Sequence, residues 1–533
     1  MVTIATSNLN TSTPQHLNTS TSQHLNISTP QHLNISTPQH INPSTPHHIN
    51  TSTSQPLTTS TPHHINIINM TYLAIDFGGG SGRVVAGTIT AEGGKKKLTM
   101  QLVHRFQNRQ VRLGGHVYWD FPALFEDMKT GLRKATQLGL KVSGIAVDTW
   151  GVDFGLIDRN GDLIGNPVCY RDARTLGMTD EFFANTDRTA HYSVNGTQVM
   201  EINTLFQLLS LKKANSPQLQ IADKMLFTPD LFSYFLTGEA NTEYTIASTS
   251  EMLNATTRDW DWELIDRLEL PRHLFCPIVM PGTVRGKLRK DIAEETGLGE
   301  VDVIAVGSHD TASAVAAVPA KDDESPVAFI SSGTWSLLGV ELDQPILTEE
   351  ARRAEFTNEG GIGGKITFLQ NITGLWFLQR LMTEWKEEGD EQQYDTLLAA
   401  AAEAEIKTII PVDAKEFQNP KSMQAAICDY CAAHGLEVPQ TKAATTRIVL
   451  QSLAAKYAEA TAHLNAMLPT PIKKLHVIGG GSQNKLLNHL TEEALGVPVE
   501  AGPVEATAIG NILCQALAKG EVESVAEMRK IEI

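Results

Sequence analysis

Twice in this chain an apolar strand runs through a glycine- or serine-bearing turn straight into a returning strand. The first copy is Tyr72-Leu73-Ala74-Ile75-Asp76-Phe77, the turn Gly78-Gly79-Gly80-Ser81-Gly82, and a second strand over 83–89. The second copy is a strand over 327–331, the turn Ser332-Gly333-Thr334, and a returning strand over 335–342. Glycines between paired strands leave backbone N–H groups open to a close-approaching anion. One such hairpin says little. Two of them, one in each half, predict a duplicated α/β fold whose halves grip a polyphosphate from both sides. The first turn is not a Walker A loop, since no Gly-Lys-Ser/Thr follows, and it is not a dinucleotide fingerprint, since a strand follows where a helix would be needed.

Between the two copies lies a third feature. Val303-Ile304-Ala305-Val306 reads as a buried strand, Gly307 lets the chain turn, and an alanine-rich helix opens at Thr311. Asp310 thus falls where a strand ends and a helix begins, the place where open α/β sheets collect ligands and where a carboxylate is placed to take a proton. A second reading stands beside it, because Ser and Asp ahead of a helix are ordinary N-caps. Residues 148–153 bring two acids, Trp150 and Gly151 into six positions, a mixture that suits a polyol; equally, Trp150 can be core and Asp153 an exposed strand residue. Tyr170-Arg171-Asp172-Ala173-Arg174 adds charge that can line the same cleft. A mostly helical region from 180 to about 268 reads as an insertion capping the first sheet. In the second half, Asn371-Ile372-Thr373-Gly374 is read as the start of an amphipathic helix through Gln379, and a long helix covers 442 to about 468. Leu475 to Ile478 reads as a strand ending in Gly479-Gly480-Gly481, glycines against which a base or ribose can lie, and a last clear helix opens at 501–508. Asp76, at the base of the first hairpin, is a candidate for holding hydrated Mg²⁺, a hard cation that favours oxygen ligands and keeps its waters.

The first 69 residues belong to another class. They repeat an octad close to Ser-Thr-Pro-Gln-His-Leu-Asn-Ile and carry no Asp, Glu, Lys or Arg, so a disordered tail is expected. Eight of the 17 histidines lie there, enough for weak metal binding, and Met70, at the abrupt change of composition, is expected to be the start of translation in the cell. The C-terminal edge, close behind the last helix, is expected to be incomplete. A net charge of −17 argues against nucleic acid and anionic membrane as partners. With no signal peptide and no run of 18 apolar residues, a cytoplasmic protein is expected. Five cysteines, including a Cys428-x-x-Cys431 pair with no second pair to complete a zinc site, read as free structural thiols.

Taken together, the 76–83 turn, 148–154, 170–175, Asn203-Thr204-Leu205, 309–314, 331–340, 371–380, 479–484 and 501–506 resemble the FGGY carbohydrate kinases, over essentially the whole folded chain. The resemblance implies two duplicated actin-like (ribonuclease H-like) ATPase domains with an interdomain cleft: a first domain over 70–319 on the sugar and phosphate side, and a second over 327–533 on the nucleotide side. It implies Asp310 as the catalytic proton acceptor, with Gly151, His309, Asp310, Thr311 and Asn371 at the sugar. It implies Gly79, Gly80, Ser81, Gly82 and Arg83 at the phosphates of ATP, and Thr334, Gln379 and Gly480 at the nucleotide. Partners would be a small-molecule sugar and MgATP, in a monomer or small homo-oligomer. The 148–154 segment points to L-rhamnulose, phosphorylated at O1, with L-fuculose or another ketose as the alternative. Glycine at both 79 and 80 departs from the small or hydroxyl residues the family pattern leads one to expect, which leaves backbone contacts there.

Overall fold

A computed structural model of the chain describes residues 70–92, 95–321, 326–418 and 420–533. The octad tail and most of the expected linker at 320–326 lie outside the described residues. The first half opens with β1 (Met70–Phe77), β2 (Ser81–Glu92) and β3 (Lys95–Gln107), joined by tight connections that only antiparallel neighbours allow. Helix α1 (Phe121–Gln137) and β4 (Val142–Thr149) follow. An insertion then includes α2 (Arg188–Asn195) and α3 (Thr204–Lys213), together with short strands such as Lys224–Phe227. The half closes with β5 (Val284–Lys287), β6 (Asp302–Ile304) and α4 (Asp310–Ala316). Its sheet runs β5-β6-β4-β1-β2-β3, with β4 parallel to both β1 and β6.

The second half repeats the plan. Strands β7 (Ala328–Ser332), β8 (Trp335–Leu342), β9 (Thr357–Gly360) and β10 (Ile366–Thr373) precede helices α5 (Trp376–Glu387) and α6 (Lys442–Met467). Strands β11 (Leu475–Ile478) and β12 (Val499–Ala501) and helix α7 (Ala506–Ala518) complete it. The sheet order is β9-β10-β8-β7-β11-β12. Matching β7 to β1, β8 to β2, β10 to β3, β11 to β4 and β12 to β6 superimposes the two orders, with β5 and β9 as the extra edge strands. The hairpins of the duplicated grammar are therefore equivalent in three dimensions as well as in sequence.

Burial explains the layers. β1 is buried on both faces from Thr71 onward, the pattern of a strand covered by helices on each side. Leu124, Met128 and Leu132 of α1 pack on one face; Ile509, Ile512 and Leu513 of α7 pack on the other. Each such side chain contributes roughly 1.5–3 kcal/mol when removed from water. Helix α7, from the C-terminal end of the chain, crosses α4 so closely that a Cβ at Gly510 would collide with the Ser313 carbonyl. Only glycine allows that crossing, and it sets α4, with Asp310 at its start, against the sheet.

One element differs from its sequence reading. Residues 371–373 end strand β10, and the helix begins only at Trp376. Isoleucine and threonine at 366, 367, 372 and 373 favour a pleated surface, and the full length of β10 pairs with β8, Asn371 opposite Leu337. That tertiary partner overrides the helical periodicity that starts downstream.

Candidate active site

Topology brings three acids to one place. Asp76 and Asp148 are direct register partners near the carboxyl ends of parallel strands β1 and β4, and Asp310 follows β6 as the first residue of α4. Asp76 and Asp310 line a cleft of about 510 Å³, with Asp148 buried beside Asp76; the volume is within the ~300–1,000 Å³ usual for small-molecule sites. The first half contributes Asp76, Gly78, Gly79, Gly80 and Arg83, then Trp150 and Gly151, then His309, Asp310 and Thr311. The second half contributes Ser331 to Trp335, Thr357, Glu359, Asn371, Gly479 and Gly480.

Asp310 does not act as a helix cap. The N-cap is His309, without a side-chain cap bond, and Asp310 accepts from the Thr311 hydroxyl at 3.3 Å and from the Thr311 backbone. Its side chain keeps 31% of its surface open to the cleft. Burial, opposed by His309 and reinforced by Asp76, pushes its pKa up to about 6. His309 turns Nε2 toward Asp310 Oδ1 at 3.5 Å and Nδ1 toward Glu359 Oε2 at 3.1 Å. Burial works against its charged form, but Glu359, Asp310 and Glu243 outweigh that and raise its pKa. The loop under both residues is held from below: Ser308 N–H donates to the buried carboxylate of Glu243, and His309 N–H to Thr245 Oγ1.

Arg83 crosses the base of the first hairpin. Its Nε and Nη2 donate to Asp76 Oδ2 at 2.9 and 2.7 Å, and its Nη1 pairs with Glu505 of the second half. Asp148 is fully buried; Asn511 donates to its Oδ2 at 2.5 Å, and its Oδ1 has no hydrogen-bond partner among the described residues. Burial first, and Asp76 second, hold its pKa well above the usual range. A Cβ placed on Gly80 or Gly480 would meet nothing within 4 Å. Protein packing therefore does not demand glycine at either position, and the open side faces the cleft.

The structure sorts the residues singled out in the sequence unevenly, as their neighbours dictate. Gly151, His309, Asp310, Thr311, Asn371, Gly79, Gly80, Arg83, Thr334, Gly480 and Asp76 all line the cleft. Ser81 and Gly82 do not: Ser81 is exposed to solvent, and Gly82 is packed against the Phe106 ring. Gln379 lies at the rim, its Oε1 accepting from Thr334 Oγ1 at 3.2 Å. Neither acid of the 148–153 segment lines the cleft, since both are fully buried. Asp153 is fully buried and takes hydrogen bonds from Trp119, Trp150, Gln207 and the Tyr170 backbone, which makes it the anchor of the loop rather than a contact for a polyol. That loop is strained where it matters: Val152, a β-branched residue, has φ +67°, held by its N–H to Thr249 Oγ1 and its carbonyl to Thr204 and Gln207. The result brings Trp150 and Gly151 into the wall of the cleft. Of the 170–174 cluster, Tyr170 and Arg171 line it. Cys428 and Cys431 lie in a second-half helix as free thiols, and no metal-binding cluster occurs among the described residues.

Two cleft residues carry no signal in the local sequence. Gln198, between α2 and α3, accepts from both the backbone and side-chain nitrogens of Asn371, and Glu359 faces His309. Each joins the two halves.

Residues 71–317 match the FGGY family of carbohydrate kinases, N-terminal domain, and residues 328–519 match its C-terminal domain. The chain is 43% identical over 464 residues to the rhamnulokinase of Bacteroides thetaiotaomicron, covering 87% of this chain and 94% of that protein. It is 41% identical over 458 residues to the rhamnulokinase of Pectobacterium carotovorum, covering 86% and 90%. In fold it is similar to the gluconate kinase of Lactobacillus acidophilus (TM-score 0.71, 16% identity, covering 86% of this chain and 91% of that one). It is likewise similar to Plasmodium falciparum glycerol kinase solved with ADP (TM-score 0.70, 14% identity, covering 87% and 93%).

Proposed function

The chain belongs to the FGGY family of carbohydrate kinases, and on that premise we propose that its cleft moves the γ-phosphoryl group of ATP to the O1 hydroxyl of L-rhamnulose, releasing L-rhamnulose 1-phosphate and ADP. The substrate is carried by the 43% identity to a rhamnulokinase over 94% of that protein. The chemistry rests on Asp310, a carboxylate at the start of a helix, open to the cleft and beside the glycine hairpin.

A sugar hydroxyl is a poor nucleophile near neutral pH. As its oxygen attacks the γ-phosphorus in line with the departing β-phosphate oxygen, Asp310 accepts its proton, a contribution typically worth about 10²- to 10⁴-fold. A carboxyl with a pKa of about 6 is mostly ionised at neutral pH and still basic enough to take the proton late in the reaction. His309, Thr311, Asn371 and the backbone at Gly151 orient the sugar. Gly79, Gly80 and Arg83 meet the phosphates, and Thr334 and Gly480 meet the nucleotide from the second half. Ser81, Gly82 and Gln379 contribute through the hairpin and the rim. Closing of the two halves would exclude water, which competes as acceptor.

Mg²⁺ fits this donor set as a hydrated ion. No three His, Cys, Asp or Glu side chains among the described residues converge as direct ligands, whereas Asp76 presents a carboxylate to the cleft, with both Arg83 bonds on Oδ2. Asp76 would hold such an ion through its waters, and the ion would neutralise charge on the transferring phosphoryl group. Among the described residues no helix is long and apolar enough to cross a membrane, and ATP as co-substrate suits a cytoplasmic reaction.

The deciding experiment measures ADP release from MgATP with L-rhamnulose, L-fuculose, D-xylulose, glycerol or no sugar. A strong preference for L-rhamnulose is expected. A preference for another ketose would overturn the substrate, and release that no sugar changes would overturn the kinase reading.

A further inference from the structure

Glu359 has no place in the mechanism so far, yet its chemistry is out of keeping with its position. It is a buried carboxylate whose Oε2 has no aligned hydrogen-bond donor among the described residues. It lines the cleft and approaches the equally buried imidazole of His309 to 3.1 Å at Nδ1. It also comes from the other half of the molecule. Its strand, β9, forms the edge of the second sheet, and that edge is stitched to the first half residue by residue. Tyr192 donates to the Phe356 carbonyl, the Asn358 N–H and side chain both donate to the Gly196 carbonyl, and the Gly360 N–H donates to Ser248 Oγ. Strand alternation sends Asn358 and Gly360 to the seam and leaves Thr357 and Glu359 facing the cleft.

We propose that Glu359 is a positioning residue for phosphoryl transfer: from the second half it holds His309 by Nδ1, so that Nε2 faces Asp310 and the acceptor hydroxyl. The inference rests on the kinase reading above and extends it. An imidazole beside a general base has two ring orientations and two neutral tautomers, and a carboxylate at Nδ1 selects one of each. The selection requires β9 in its seam, so the hold on the base's neighbour exists only when the two halves stand as they do here. The charged groups acting on His309 are Glu359 from β9, Asp310 from α4 and Glu243 from the floor of the loop, all carboxylates. With Glu359 made neutral, His309 is less often cationic, and Asp310 loses part of the positive charge that keeps it ionised.

The test compares the full-length protein with Glu359→Gln, Glu359→Asp, His309→Gln and the Glu359→Gln/His309→Gln pair, assayed as ADP release with L-rhamnulose from about pH 5.5 to about pH 8.5. Glu359→Gln should lower kcat at least about tenfold, move the acid limb of kcat/KM to higher pH, and leave KM for ATP within about twofold. Glu359→Asp should restore part of the rate, and the double variant should lose no more than His309→Gln alone. Nitrogen-15 histidine NMR on the sugar-free protein, with His309 identified by its loss in His309→Gln, should show its apparent pKa lower in Glu359→Gln. A raised KM for the sugar with unchanged kcat and pH profile would overturn the proposal in favour of direct sugar binding by Glu359. Additive losses, or a His309 titration that ignores Glu359→Gln, would overturn it as well. The NMR result stands even if no sugar stimulates ADP release, so failure of the substrate reading and failure of this inference are separable.

Discussion

The two glycine hairpins share one topology and differ in charge. In the first, Asp76 faces Arg83 across the antiparallel pair and Asp148 across the parallel one. In the second, the equivalent Ser331 faces Leu337 and Ile478. The same backbone therefore sits among acidic and basic side chains in one half and among neutral ones in the other. Duplicated backbone geometry supplies two cradles of N–H groups, and side-chain divergence decides what each can do. On the proposed reading, the charged cradle handles the phosphoryl group and its counter-ion, and the neutral one holds the nucleotide.

That division of labour can be broken most directly at Asp310. Asp310→Asn should lower kcat by about 10²- to 10⁴-fold while ADP binding, followed by calorimetry, stays within about twofold; full activity would end the base assignment. Next in size is Asp76→Asn, which should raise the Mg²⁺ concentration for half-maximal rate on the order of tenfold, seen in rate measurements across Mg²⁺ concentrations. An unchanged requirement would take the metal away from the charged hairpin.

A pH series sharpens the contrast further. A base must be ionised to accept a proton, and the Asp310 carboxyl titrates at about 6, so kcat/KM should be full at neutral pH and fall about tenfold per unit below about pH 6. Affinity for ADP, carried by the neutral cradle, should change little over that range. Smallest of all is Thr334→Ala, which removes one exposed hydrogen bond and should raise KM for ATP about two- to fivefold without changing the acid limb. A larger loss there than at Asp76 would reverse the comparison.

Much of this is legible in the order of residues. The strand, glycine turn and strand of each half survive as β1–β2 and β7–β8, because apolar β-branched runs and glycines are local signals. Asp310 lies at the expected junction for the same reason. Asn371 is not a helix start, since the helical period downstream of Gly374 says nothing about the strand β8 that captures residues 366–373. Asp153 is neither a polyol contact nor an exposed strand residue, because four donors from separate segments bury and saturate it, and none of them is a sequence neighbour except Trp150.

By itself, the order of residues determined the duplicated α/β plan, the two hairpins and the placing of an acid after β6, all of which depend on periodicity and turn chemistry within a few positions. Only the tertiary structure decided which acids face the cleft, that Gln198 meets Asn371, and that Glu359 meets His309. Those contacts join side chains far apart in the chain, so their chemistry is set by which sheet edges and loops pack together, and no local pattern records it.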